Sequence, residues 1–78
     1  MTIMINLNEI SRIPKLATVL ANINAEFDAK SGNRIVDAKS IVGLYSLNLR
    51  QPIELISYSE DEETMRFLLS ALKEIEAI

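Results

Sequence analysis

Apolar and polar positions alternate with two different periods along this chain, and the changes of period mark its elements. Residues 2–7 repeat every two positions, with Ile3, Ile5 and Leu7 on one face and Thr2, Met4 and Asn6 on the other. That pattern predicts a half-buried strand. The spacing then lengthens. Ile13, Leu16, Ala17, Leu20 and Ile23 follow the i, i+3, i+4, i+7 rule and line one face of a helix. Pro14 belongs in its first turn, where a missing N–H costs nothing. Asn8 and Ser11 are better capping residues, yet Pro14 favours a start near residue 12 or 13, so an irregular lead-in is expected within residues 9–13.

Residues 25–30 alternate again, with Phe27 and Ala29 opposite Glu26, Asp28 and Lys30. Ser31-Gly32-Asn33 then tolerates positive φ, and residues 34–38 resume an extended pattern, which together predict a hairpin. Ser40 can cap a short helix over residues 41–47. Gly43 weakens that helix by up to about 1 kcal/mol relative to alanine, which points to a close approach there. Pro52 marks the start of a fourth strand over residues 53–58. Ser59, with Glu62 three positions on, has the spacing of a capping box, and acidic side chains crowd the first turn, where the helix dipole favours them. Met65, Leu68, Leu69, Leu72 and Ile75 carry an apolar stripe to the end of the chain.

The order is β-α-β-β-α-β-α, which predicts an α+β fold: a two-layer, open-faced sandwich with three helices on one face of a four-stranded, mainly antiparallel sheet. Ferredoxin-like domains share the βαββαβ order, so the order alone does not separate the two.

Composition changes the picture mostly by exclusion. With 78 residues, 49% apolar and 24% charged, the chain has the balance of one globular domain. It has no cysteine and no histidine. Disulfides, thiolate nucleophiles, imidazole bases, cysteine- or histidine-based metal sites and phosphohistidine are thereby excluded, and no metal or cofactor is expected. A serine with neither a histidine nor an evident lysine base is not an activated nucleophile, so the chain is not expected to be an enzyme. The charge is +2 over residues 1–50 and −5 over residues 51–78, giving −3. Scattered basic residues and few aromatics argue against a nucleic-acid surface. No apolar run approaches the roughly 20 residues that span a bilayer, and residues 1–8 lack the basic segment of a secretory signal, so a soluble cytoplasmic protein without membrane contact is expected.

From residue 37 to about residue 75 the chain resembles HPr, the small phosphocarrier of the bacterial sugar phosphotransferase system (PTS). The segment Asp37-Ala38-Lys39-Ser40-Ile41-Val42-Gly43-Leu44-Tyr45-Ser46-Leu47 is similar to that family's Lys-Ser-Ile-x-Gly stretch and the helix ending in Ser-Leu. Pro52-Ile53-Glu54-Leu55 and the last amphipathic helix fall where the family has its fourth strand and third helix. The resemblance implies one HPr-like domain over residues 1–78. The first helix departs from it. Against the family's His-Ala-Arg-Pro-Ala, the ungapped match is Ile13-Pro14-Lys15-Leu16-Ala17, with Ile13 in the histidine's place and Lys15 in the arginine's. Isoleucine has no lone pair to take a phosphoryl group. The segment between Phe27 and Lys39 also looks a few residues short.

Ser40 matches the family's regulatory phosphorylation position, used in many Gram-positive bacteria. HPr-like proteins that lack the histidine and keep this serine act as coeffectors in catabolite repression. The resemblance therefore implies a non-catalytic regulatory or protein-docking module, with HPr kinase/phosphorylase or a catabolite-control transcription regulator as partners. The plain reading of Ser40 is a helix cap. Lys39, Ile41, Val42, Leu44 and Leu47 are the candidate docking residues beside it; Tyr45 shares the same apolar segment, which is equally a route to a homodimer. Arg12 and Lys15 are candidates for a weak anion site, or simply a solvated surface. Glu60 to Glu63 read better as a dipole-matched helix start than as metal ligands. A structural or oligomerising α+β module with no phosphorylation is the alternative of another class.

Overall fold

In the computed structural model, which describes residues 1–78, the period-two segments form β1 (Thr2–Ile5), β2 (Phe27–Ser31), β3 (Arg34–Asp37) and β4 (Ile53–Ser57). The helical stripes form α1 (Ile13–Ala21), α2 (Ile41–Tyr45) and α3 (Glu62–Glu74). The expected irregular lead-in to α1 is a single 3-10 turn, Ile10–Arg12. The sheet order is β1-β4-β2-β3, every pairing antiparallel. The last strand is thus inserted at the centre, between β1 and β2.

Alternation decides which side chains meet the helices. Ile5, Phe27, Ala29, Ile53 and Leu55 point inward and pack with Ile13, Leu16 and Leu20 of α1, Leu44 of α2, and Met65, Leu68 and Leu72 of α3 in one apolar cluster. Thr2, Met4, Asp28, Lys30, Glu54, Ile56 and Ile35 occupy the other face of the sheet, where no helix lies. The architecture is the open-faced α+β sandwich that the periodicity predicts.

Element ends shift where local chemistry overrides the pattern. β1 stops at Ile5, because the Asn6 N–H turns to the Ala77 carbonyl (2.8 Å) and Asn8 adopts φ +66°. Leu7 is still fully buried. The β2–β3 hairpin pairs Ser31 with Arg34. Its loop is therefore only Gly32-Asn33, with Gly32 at φ +60°, the demand of the first central position of a type II′ turn. The cap of α3 is Asp61 and not Ser59: its carboxylate accepts the Thr64 N–H at 3.0 Å and the Thr64 hydroxyl at 2.7 Å. Ser59 instead accepts the Asp61 N–H, so it shapes the turn before the helix. At the other end Glu76 takes φ +60°, and the Ala77 N–H reaches back to the Leu72 carbonyl (2.9 Å), closing the helix as a Schellman motif.

Gly43 is explained by proximity. A Cβ built on it would lie 3.1 Å from the Val36 Cβ and 3.4 Å from the Ser40 side chain. The contact atom on Val36 is one that every residue except glycine carries, so α2 and β3 cannot both keep their places around an alanine. Gly43→Ala is expected to lower stability by about 1 kcal/mol in urea unfolding, although alanine is the better helix former. Val42→Ala, one position away and exposed, serves as the control and should change little.

The two Thr64 hydrogen bonds, the hydroxyl's first and the backbone's second, hold the Asp61 carboxyl below the usual carboxylate range. A depressed folded pKa gives stability that is present above the unfolded value and lost as pH falls through the folded one. Asp61→Asn keeps an acceptor without the charge. The stability difference between wild type and Asp61→Asn should be flat above about pH 5 and shrink below it, read by thermal unfolding across pH.

Candidate docking face around Ser40

The turn between β3 and α2 places Ser40. Asp37 organises that turn, its carboxylate accepting the Lys39 N–H (2.9 Å) and its carbonyl accepting the Ser40 N–H (3.0 Å). Ser40 is extended (φ −91°, ψ 113°), and its hydroxyl oxygen accepts the Gly43 N–H at 3.1 Å. This is the expected N-cap. Its hydroxyl is half-buried, and the amides of Ile41 and Val42 that follow it precede the first helical hydrogen bond. At the far end of α2, Ser46 donates to the Gly43 carbonyl (2.6 Å) and accepts from Arg34 Nε (3.0 Å), tying the helix to β3.

The five-residue helix cannot bury all of its apolar side chains, and the structure separates them. Leu44 is fully buried and Leu47, just beyond the helix, is nearly so; both belong to the core. They are corrected from docking residues to packing residues. Ile41, Tyr45 and above all Val42, 81% exposed, face solvent. Ile10 from the 3-10 turn is exposed beside Tyr45, and with Tyr45 and Arg50 it lines a shallow groove of about 280 Å³ between that turn and the α2–β4 loop. Sequence reasoning missed Ile10 because it stands alone between polar neighbours, with no periodic partner to reveal its side.

Lys39 is exposed, as a docking residue must be, and is also a structural tie. Its ammonium donates to the Ile23 carbonyl at 2.8 Å and lies 5.9 Å from the Phe27 ring centre. It ties the α1–β2 loop to the β3–α2 turn. The side chain lines a separate cleft of about 500 Å³ with Glu26, Asp28, Asp37 and Tyr58, whose hydroxyl donates to Asp28 (2.8 Å). That hydrogen bond, burial and the nearby Asp28 and Glu26 charges raise the phenol's pKa above its ordinary value.

At the first-helix corner Ile13 opens α1 with its side chain fully buried in the core, as its place on the apolar stripe predicts, so the position matched to the histidine does not face solvent. Ser11, Pro14 and Lys15 do. Arg12 is not open to an anion either. Its guanidinium, 20% exposed, donates to the Glu76 carbonyl (2.6 Å) and pairs with the Glu9 (3.6 Å) and Glu76 (3.7 Å) carboxylates. Of the two residues expected to hold an anion, only Lys15 is left without an ion pair.

No family model matches the sequence, and no curated protein matches it. The fold does have a solved counterpart. The crystal structure of HPr-C-His from Thermoanaerobacter tengcongensis superposes with a TM-score of 0.72 at 21% identity, covering 96% of this chain and 91% of that one. The chain therefore has an HPr-like fold. No helix is long and apolar enough to cross a membrane.

Because Lys39 is a tie, Lys39→Met should cost about 1 kcal/mol in urea unfolding, through the lost bond to the Ile23 carbonyl. Protection of the Ile23–Ala25 amides from hydrogen exchange should fall in the same variant.

Proposed function

We propose that this chain is a non-catalytic, PTS-related docking module built on the HPr-like fold, with Ser40 as the residue at which phosphorylation regulates docking. The observation that carries this reading is the contiguity of Ser40 with uncovered apolar surface. A half-buried hydroxyl heads a helix whose outer side presents Ile41, Val42 and Tyr45, with Ile10 alongside. In a core this small, apolar side chains left in water at one place are better explained by a partner than by stability.

The chain contains no histidine, so it cannot carry phosphate as phosphohistidine whichever residue occupies the first-helix corner. Phosphorylation of Ser40 would transfer the γ-phosphoryl group of ATP to Oγ with loss of the hydroxyl proton. It adds about −1.5 to −2 charge beside the free amides of Ile41 and Val42, where an anion is tolerated. The fold is kept and the apolar face gains an anionic rim suited to a partner's arginines. The partners that fit are an HPr kinase/phosphorylase and a catabolite-control transcription regulator.

Incubation with an HPr kinase and ATP should give a mass increase that is absent in Ser40→Ala, while phosphoenolpyruvate with the general PTS enzyme should give no label. A wild-type protein left unmodified by the kinase would remove the phosphoswitch and leave the alternative, a module that binds or oligomerises without phosphorylation.

A further inference from the structure

The uncovered face of the sheet has an order of its own. Register places Met4 opposite Glu54, Glu54 opposite Lys30, and Lys30 opposite Ile35. Across the four strands this row reads apolar, acidic, basic, apolar. Its ends are exposed: Met4 at 53% and Ile35 at 58%. Read backwards, the row becomes apolar, basic, acidic, apolar, so it is complementary in charge to its own reverse.

We infer that this face pairs with the same face of a second copy of the chain, about a two-fold axis that runs along the strands between β4 and β2. Such an axis lays β1 over β3 of the partner and β4 over β2. Glu54 then meets Lys30 of the other copy twice, and Met4 meets Ile35 twice. The contact is isologous and closes at two subunits. In the neighbouring row Thr2 and Ile56 of one copy face Asp37 and Asp28 of the other, so no like charges are brought opposite one another. Asp28 and Asp37 border the open cleft beside Tyr58, which keeps that end of the contact wet. Two sheets meeting this way pack aligned, about 10 Å apart. The surface lies on the opposite side of the sheet from α2, so the pairing leaves the Ser40 face uncovered and does not rest on its function.

The four strands present a footprint of roughly 20 × 15 Å per copy. That is below the ~800 Å² per partner of a standard interface, so the dimer is a weak one. Sedimentation velocity over a concentration series up to about 1 mM, the weak end of the affinity scale, reads it directly. Lys30→Glu and Glu54→Lys alone should each weaken association at least tenfold, since each sets like charges across the interface twice. An equimolar mixture of the two variants should restore it, because both charge pairs are then opposite in sign between the copies. Within each chain residues 30 and 54 still carry like charges in the mixture, so a merely structural effect of the substitutions would not be rescued. Ile35→Lys, exposed in the monomer, should abolish association without lowering the melting temperature. A chain that stays monomeric throughout the series overturns the inference. So does a dimer indifferent to the charge reversals, or a mixture that fails to re-associate.

Discussion

The structure depends on where β4 goes. It is the last strand in sequence and an inner strand in space, paired antiparallel with β1 on one side and β2 on the other. Because side chains alternate with period two, this strand's register sets both faces of the sheet at once. Ile53, Leu55 and Ser57 go inward and Glu54, Ile56 and Tyr58 outward. A slip of one residue would put Glu54 into the apolar cluster and expose Leu55. The sheet cannot be completed until residues 53–57 meet residues 2–5, so the fold is built on non-local pairing and its closing step is slow by nature. Two further contacts reinforce it from the chain's end: the Asn6 N–H on the Ala77 carbonyl, and Arg12 on the Glu76 carbonyl.

Period carried most of the architecture into view before any coordinates. All four strands, all three helices and the 3-10 lead-in follow from spacing, Pro14 and the turn residues. The strand order does not, since alternation identifies a strand and says nothing about its neighbours. The α3 cap was misplaced by two residues because Ser59 and Asp61 both have capping chemistry and both accept a backbone N–H. Only the path of the chain decides which of them stands at the helix start.

The candidate site was legible in its anchor and less so in its outline. Ser40 caps α2 as its hydroxyl chemistry implies, and Gly43 sits against Val36 as its cost in a helix implies. Leu44 and Leu47 could not be told from Ile41 and Val42, because in a helix of five residues no period is long enough to define a buried side. Lys39 has a stem long enough to reach an acceptor 16 residues away, and no local signal names that acceptor. The burial of Ile13 was legible in its period: it opens the apolar stripe of α1 and joins the core as that stripe predicts.

The two faces of this domain answer to opposite demands. On the helix side, Ser40 already spends its oxygen on the Gly43 amide, so a phosphate there trades a neutral cap for a charged acceptor at the same helix end, and the fold gains or loses little by it. Under the proposed phosphoswitch, the effect of modification would then appear in what binds rather than in the fold. On the open side, Lys30 and Glu54 stand opposite one another in register, and the exposed Met4 and Ile35 flank them. A row whose two charges are opposite in sign matches its own reverse order, which favours a second copy of the same face. That asymmetry would let one small core support the proposed regulated face and the proposed self-matching face without either constraining the other.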